Sequence, residues 1–137
     1  MQTKTFNYKF QVLEAHLDTF GHVNNATYLQ LYEEARWDFI TANGYGMDKI
    51  KESQVGPVIL DLHLTFKREM RCREKIIVTS KVKEVSNKMI MTLFQTMTNE
   101  DDKVTSTLEL TVGLMDLKTR KLVAANNDWL KAVGLCL

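Results

Sequence analysis

Residues 6–12 alternate, with Phe6, Tyr8, Phe10 and Val12 apolar and Asn7, Lys9 and Gln11 polar between them. A period of two is what a strand with one buried face requires, because successive side chains point to opposite sides of the backbone. From Asn25 the period changes. Tyr28, Leu31, Tyr32, Ala35, Phe39 and Ala42 recur at steps of three and four, with Gln30, Glu33, Glu34 and Asp38 largely between them, the stripe of an amphipathic helix. Asn43-Gly44 supplies the stop, since glycine readily takes the left-handed backbone that closes a helix. At 1.5 Å per residue this helix runs about 28 Å. Leu29, Trp37 and Ile40 widen its apolar stripe, so it is expected to be mostly buried.

A helical turn is expected around residues 47–52, and beyond it four stretches read as strands, at residues 57–67, 75–85, 88–98 and 104–117. The last alternates, with Val104, Leu108, Leu110, Val112 and Leu114 facing one way and Thr105, Thr107, Glu109 and Thr111 the other. The connections at Ser86-Asn87 and residues 99–102 are too short for parallel crossovers, so the neighbours are antiparallel. In the first stretch Asp61, His63 and Thr65 oppose Leu60, Leu62, Leu64 and Phe66. Exposure or a dimer contact is the ordinary role for such polar residues, and a catalytic one for Asp61 or His63 would bring a polar group to water near an acid. A last helical turn or two falls at residues 128–133. The elements together predict one α+β domain over residues 1–137, an antiparallel sheet of about five strands wrapped around one long helix.

With 137 residues and 45% hydrophobic content, the chain needs no staples to build a core. Cys72 and Cys136 stand far apart and outside any ligand spacing, so neither a disulfide framework nor a metal site is expected. Residues 1–9 lack the apolar stretch of a signal peptide, and no apolar run approaches a membrane span, which points to the cytoplasm. A formal net charge of +1 gives no general attraction to nucleic acid. The basic residues do concentrate in one place, Lys67, Arg68, Arg71, Arg73 and Lys75. A solvated turn is the default for such a run, and the alternative is a site for phosphate groups. Arg and aromatic residues do not interleave there as on a base-stacking surface. Met89, Met91 and Met97 share one strand face, as adaptable core filler or the wall of an apolar channel.

Between the first strand and the helix lies Leu17-Asp18-Thr19-Phe20-Gly21-His22-Val23-Asn24-Asn25-Ala26-Thr27-Tyr28. A carboxylate, a glycine, a histidine and two asparagines stand directly before a helix whose first amides have no partner inside it. Free N–H donors and a positive dipole end suit a developing oxyanion. Singly, each residue has an ordinary use: Asp18 in an Asx-turn, His22 as a structural histidine, Asn24 or Asn25 as a helix cap.

Taken together, Asp18, the Gly21-His22-Val23-Asn24-Asn25-Ala26 run, Tyr28 and the following Glu33 or Glu34, Ala35 and Arg36 resemble the signature of hotdog-fold acyl-CoA thioesterases of the 4-hydroxybenzoyl-CoA thioesterase class. The His-Val-Asn-Asn portion also resembles plant-type acyl-carrier-protein thioesterases. The resemblance implies the hotdog fold, a long helix wrapped by an antiparallel sheet. It also implies hydrolysis of an acyl-CoA or acyl-carrier-protein thioester to free acid and thiol. Coenzyme A is then part of the substrate, and no cofactor is needed.

By that resemblance Asp18 matches the catalytic carboxylate and the backbone amide at Asn25 the donor that polarises the thioester carbonyl. Direct attack, giving a mixed anhydride, and general-base activation of water both remain open. Gly21, His22, Asn24 and Tyr28 fall on the substrate side of the motif, and Arg68, Arg71 and Arg73 are candidates for the nucleotide phosphates. The chain departs from many bacterial relatives in having Asn25 where they have histidine, and from the plant-type enzymes in having Phe20 where they have asparagine. The resemblance implies a homodimer or homotetramer with sites between subunits. The rival functions are an acyl-CoA-binding hotdog protein without turnover and a hydratase or dehydratase on the same fold.

Overall fold

Strand β1 (Phe6–Gln11) alternates half-buried and exposed side chains along its whole length, as its sequence period demands. The computed structural model describes residues 2–136. After a single 3₁₀ turn (Glu14–His16) and a tight loop comes helix α1 (Asn25–Ala42), then α2 (Met47–Ser53). The strands β2 (Val55–Phe66), β3 (Lys75–Val85), β4 (Ile90–Thr98), β5 (Val104–Asp116) and β6 (Lys121–Val123) follow, and α3 (Asn127–Ala132) closes the chain. All strand pairs are antiparallel, in the order β1-β3-β4-β5-β2. Strand β6 continues along β5 past the end of β4. With three residues, it is too short to show a period in the sequence, and so the sheet has one strand more than the pattern reading anticipated.

Helix α1 lies on one face of this sheet. Its buried residues are Tyr28, Leu31, Tyr32, Ala35, Phe39 and Ile40, in one core with Val78, Met91, Leu93, Leu110 and Trp129 among others. The expectation of a mostly buried helix is corrected: Gln30, Glu33, Glu34, Asp38 and Ala42 are exposed, and Ile40 takes the place in the stripe assigned to Ala42. Phe6 stacks on Phe39 at 4.5 Å, holding β1 to the helix, while Tyr45 meets Trp129 edge-on at 5.4 Å beside α3.

Three bulges interrupt the ladders: one leaves Lys83 of β3 unpaired between Val82 and Glu84, and the other two, in β5 and β2, alter the expected alternation. One lies where Met97 and Thr98 pair with Ser106 and Val104, which leaves Thr105 unpaired between them. Thr105 is therefore fully buried, its hydroxyl donating to the Met97 carbonyl at 3.3 Å, and Val104 is exposed. The other sets Ile59 opposite Val112 and Asp61 opposite Thr111, so Leu60 has no partner. Leu60 turns to the face of Gly113, away from α1, and stands with Asp61 rather than opposite it. Met91 and Met97 are core residues, whereas Met89 precedes β4 and is exposed.

The buried polar groups on the helix-facing side are connected. The Tyr32 and Ser106 hydroxyls lie 2.7 Å apart. Gln95 Nε2 donates to the Ser80 hydroxyl at 2.9 Å and to the Tyr32 carbonyl at 3.2 Å. Among the described residues no fully buried side-chain nitrogen or oxygen lacks a partner. Burial pushes the Tyr32 phenol well above its usual range. No helix among the described residues is long and apolar enough to cross a membrane.

Leu110 is 1% exposed at the centre of this core. Leu110→Ala is expected to lower the unfolding free energy by about 2–5 kcal/mol. Lys121→Ala, at an exposed position, is expected to change it by less than about 0.5 kcal/mol. Urea denaturation of the two variants beside the parent chain makes the comparison.

Candidate active site

The segment between β1 and α1 folds as a miniature hairpin. Leu17 and Val23 form an antiparallel bridge, the Asp18 amide donates to the His22 carbonyl at 2.8 Å, and the Gly21 amide donates back to the Asp18 carbonyl at 3.1 Å. Gly21 has φ of +80°, in the left-handed region that glycine enters without strain, and nothing lies within 4 Å of where a Cβ would stand. The glycine therefore serves the turn itself. Val23 is buried beneath the loop and Phe20 is 84% exposed at its tip. The base of the hairpin is tied by the Asn24 amide, which donates to the His16 carbonyl at 3.2 Å. His16 is fixed in turn, its Nδ1 accepting from the Leu13 amide at 2.9 Å.

Within this turn Asp18 is an Asx acceptor. Its Oδ1 receives the Phe20 amide at 2.9 Å and the His22 amide at 3.3 Å. Both bonds fall on one oxygen, so the turn holds the carboxylate while Oδ2 has no hydrogen-bond partner among the described residues. The ordinary use and the chemical use of Asp18 are therefore compatible.

Asn24 is the N-cap of α1, with Oδ1 accepting from the Ala26 amide at 2.8 Å. Its carbonyl accepts from the Thr27 and Tyr28 amides at 2.9 and 3.3 Å. That accounts for three of the first four amides of the helix. The amide of Asn25 has no acceptor among the described residues. A single N–H donor thus stands at the positive end of an 18-residue helix, one turn of loop away from a turn-held carboxylate.

His22 is more than half exposed, and its Nδ1 pairs with Glu69 Oε2 at 3.1 Å. Glu69 Oε1 lies 3.7 Å from Arg71 Nε. Sequence reasoning missed Glu69, because an acid inside a basic run reads as a solvated turn. The connection between β2 and β3 is anchored by Met70, which is 1% exposed, and by the Lys67 and Arg68 amides on the Thr105 carbonyl at 2.9 and 3.0 Å.

The three arginines of that connection differ. Arg73, with φ of +70°, grips Glu14 through Nε and Nη2, with contacts of 2.6 to 3.2 Å. Its guanidinium is raised further above its usual value by that pairing. The Glu14 carboxyl is held below its usual range, first by its own backbone amide and then by Arg73. Arg71 is 82% exposed, and the Arg68 side chain is exposed as well. Tyr28 is 4% exposed, packed edge-on against Phe66 at 4.9 Å, and burial pushes its phenol up. The structure thus gives Tyr28 a place in the core beneath the helix start.

Asp61 and His63 lie on the outer face of β2, with His63 opposite Glu109. Glu109 pairs there with Lys83. That is the face turned away from α1, so neither residue is brought beside Asp18 within the chain.

A second polar site lies midway along α1, at Arg36, a residue of the sequence signature whose contact with Gln95 the sequence did not indicate. Arg36 Nη1 donates to Gln95 Oε1 at 3.0 Å, and burial pulls its guanidinium below the usual value, opposed by Glu33. The available signal was a cation at a four-residue step between Tyr32 and Ile40, inside the apolar stripe.

The chain is similar to known proteins along nearly all of this architecture. It is 30% identical over 114 residues to the long-chain acyl-CoA thioesterase FadM of Escherichia coli, covering 82% of this chain and 85% of that protein. It is 28% identical over 78 residues to the chloroplastic acyl-acyl carrier protein thioesterase ATL3 of Arabidopsis thaliana, 57% of this chain and 41% of the plant protein. Among solved structures, the probable thioesterase YbaW of Escherichia coli superimposes with a TM-score of 0.80 at 27% identity, over 92% of this chain and 94% of that one. A Staphylococcus aureus protein, SAV2348, solved in complex with CoA, has a TM-score of 0.88 at 20% identity, over 97% of this chain and 84% of its own, a likeness of fold. The model of the thioesterase-like superfamily matches residues 12–133, from the end of β1 through α3, and the chain belongs to that superfamily of hotdog-fold thioester hydrolases.

Proposed function

We propose that this enzyme hydrolyses long-chain acyl-CoA thioesters, with the Asp18 carboxylate as general base or nucleophile and the Asn25 amide as the donor to the carbonyl. The observation that carries this reading is a turn-fixed carboxylate whose Oδ2 is unengaged, in the loop that leads directly to the one unengaged amide among the first four of α1. An amide aimed at the thioester oxygen stabilises the charge that grows there as the carbonyl carbon becomes tetrahedral. The Asp18 carboxylate takes a proton from water as the water oxygen adds to that carbon. The C–S bond then breaks, and the departing thiolate takes the proton back. Direct attack by Oδ2 reaches the same products through an anhydride that water opens. The likeness to FadM supports a long-chain acyl-CoA, and the likeness to ATL3 keeps an acyl-carrier-protein thioester as the alternative carrier.

In this reading Gly21, His22 and Asn24 shape the turn under the substrate. Arg68 and Arg71 meet the nucleotide phosphates, while Arg73 acts indirectly, holding the connection through Glu14. No cofactor takes part.

The working unit is a homo-oligomer, at least a dimer. Its support is β2, an edge strand whose ladder is unpaired on one side and which exposes Ile59, Leu60, Leu62 and Phe66 at 39 to 48% each. Such an edge invites a second copy.

Three measurements follow from these assignments. Asp18→Asn keeps an oxygen for the Phe20 and His22 amides and so keeps the turn, but supplies no base. Turnover of an acyl-CoA should fall by about 10²–10⁴-fold with little change in melting temperature. Near-native thiol release would end the role of Asp18. Asp18→Ala removes the turn acceptor too, so it should also lower thermal stability.

For the carrier, the apparent affinity for an acyl-CoA should weaken with added salt, since exposed pairs are screened over about 8–10 Å at physiological ionic strength. The same acyl group on pantetheine, which lacks the nucleotide phosphates, should respond much less. Arg71→Glu should raise KM for the CoA ester and spare kcat; an equal salt response of both esters would place the nucleotide elsewhere.

Sedimentation should find a dimer or tetramer at micromolar concentration. A stable, active monomer there would contradict the homo-oligomer.

A further inference from the structure

Arg36 stands in the wall of an apolar cleft of about 100 Å³ that opens between α1, the β2 edge and α3. Trp37 and Ile40 line it from α1, Pro57 and Ile59 from β2, Leu93 from β4 and Trp129 from α3. A cation in such a place is disfavoured unless its donors are satisfied. Gln95 Oε1 is the one acceptor that the guanidinium meets among the described residues. Glu33, which lines the same cleft, accepts from Trp37 Nε1 at 3.2 Å instead.

The arginine is also held from behind. Gln95 is fully buried, and its Nε2 must face the Ser80 hydroxyl and the Tyr32 carbonyl, because a carbonyl only accepts and Nε2 is the end of the side-chain amide that donates. That fixes Oε1 toward Arg36. The guanidinium is thus positioned by one neutral acceptor, and most of its five N–H donors have no partner among the described residues.

Helical geometry relates this cleft to the proposed site of bond cleavage. From Asn25 to Arg36 the helix rises about 16 Å, and at 100° per residue Arg36 returns to within about 20° of the Asn25 side. With C–C bonds of about 1.5 Å in a zigzag, an extended chain of about a dozen carbons covers that distance. The cleft has room for the last few atoms of such a chain rather than for a whole acyl group.

We infer that Arg36 is a specificity-determining residue that receives an oxygen at the far end of a long acyl chain, so that ω-oxygenated acyl thioesters are preferred substrates. This rests on the acyl-CoA hydrolase reading above and deepens it by naming the acyl class. The shared chemistry is a hydrogen-bond-accepting oxygen, supplied by an ω-hydroxyl or by an ω-carboxylate. The carboxylate matches the planar guanidinium fork and adds charge.

The test compares thiol release from dodecanoyl-CoA, ω-hydroxydodecanoyl-CoA and the mono-CoA ester of dodecanedioic acid. The enzyme is expected to favour at least one oxygenated ester by tenfold or more in kcat/KM. A larger gain for the diacid identifies a carboxylate as the partner, and a larger gain for the alcohol a neutral oxygen.

Arg36→Met keeps the length and apolar fit of the side chain and removes its donors. It should abolish the preference while dodecanoyl-CoA hydrolysis stays within a few-fold of the parent. Arg36→Lys, which retains a donor for Gln95, should keep part of it. Equal rates on all three esters by the unmodified enzyme, a result that needs no variant, would overturn the inference while leaving the hydrolase reading intact. A drop of equal size on every ester in Arg36→Met, with the unmodified preference unmoved in Arg36→Lys and Arg36→Met alike, would also overturn it, since Arg36 would then only brace Gln95. If no CoA ester is hydrolysed at all, the parent reading fails first.

Discussion

Laying one stripe of α1 on one face of the sheet is the constraint on which the remaining structure depends. Six side chains of an 18-residue helix are buried there, and at about 25 cal/mol per Å² of apolar surface this contact outweighs any single polar bond in the molecule. Once the helix is pinned, its N-terminus has a fixed position and its first amides have a fixed direction. The preceding loop must then reach that end from β1 in a dozen residues, with Val12 and Val23 buried as its two anchors. The hairpin that results is short because the burial at both ends leaves it little slack. Asp18 is placed by this geometry, through bonds that run almost wholly from the loop's own backbone.

The same packing explains why polar atoms are tolerated in the middle of the sheet. Ser80, Gln95 and Ser106 lie under α1 in a row of adjacent strands, where an unpaired group would cost about 1–3 kcal/mol. Each is answered by the next or by Tyr32, whose hydroxyl and carbonyl both take part. Apolar contact alone lets a helix slide and rotate over a sheet by small amounts. Directional bonds from two strands to one helical residue remove that freedom, and this sets the register between the N-terminus of α1 and the cleft around Arg36.

How much of this is legible in the sequence depends on the length of the element and the range of the contact. The period-3.6 stripe gives α1 its two ends, Asn25 and Ala42, because Asn24 and Asn43-Gly44 are local signals that act on the nearest turn of backbone. Strand β3 is likewise found at its observed bounds, since Ile76, Val78 and Val82 mark its buried face and the polar turn at Ser86-Asn87 ends it. The bulges at Leu60 and Thr105 leave no such trace. They depend on which strand lies alongside, and they turn the alternation of β2 and β5 out of phase where the sequence reads on regularly. The site divides in the same way. Asp18, Gly21 and Asn24 interact within a few residues of themselves, so their motif is readable. The partners of His22, Arg73 and Arg36 are Glu69, Glu14 and Gln95, which lie 47 or more residues away, and no local pattern names them.

The pairing of Asp18 with its turn bears on which chemistry is available to it. A carboxylate that accepts two amides on Oδ1 has that oxygen's lone pairs largely committed. In the proposed reaction the second oxygen carries the reactivity, on a turn whose backbone cannot swing without breaking both bonds. A freely rotating surface carboxylate would have to be oriented anew at each encounter. Here the orientation is fixed as the chain folds, as is that of the Asn25 amide by the cap and the helix behind it. Both groups on which the proposed reaction depends are thus held by local hydrogen bonding, Asp18 in the turn before α1 and the Asn25 amide at the first residue of the helix. In that proposal a substrate has only to supply the carbonyl, and pre-organisation of this kind is what contributes most to lowering a barrier.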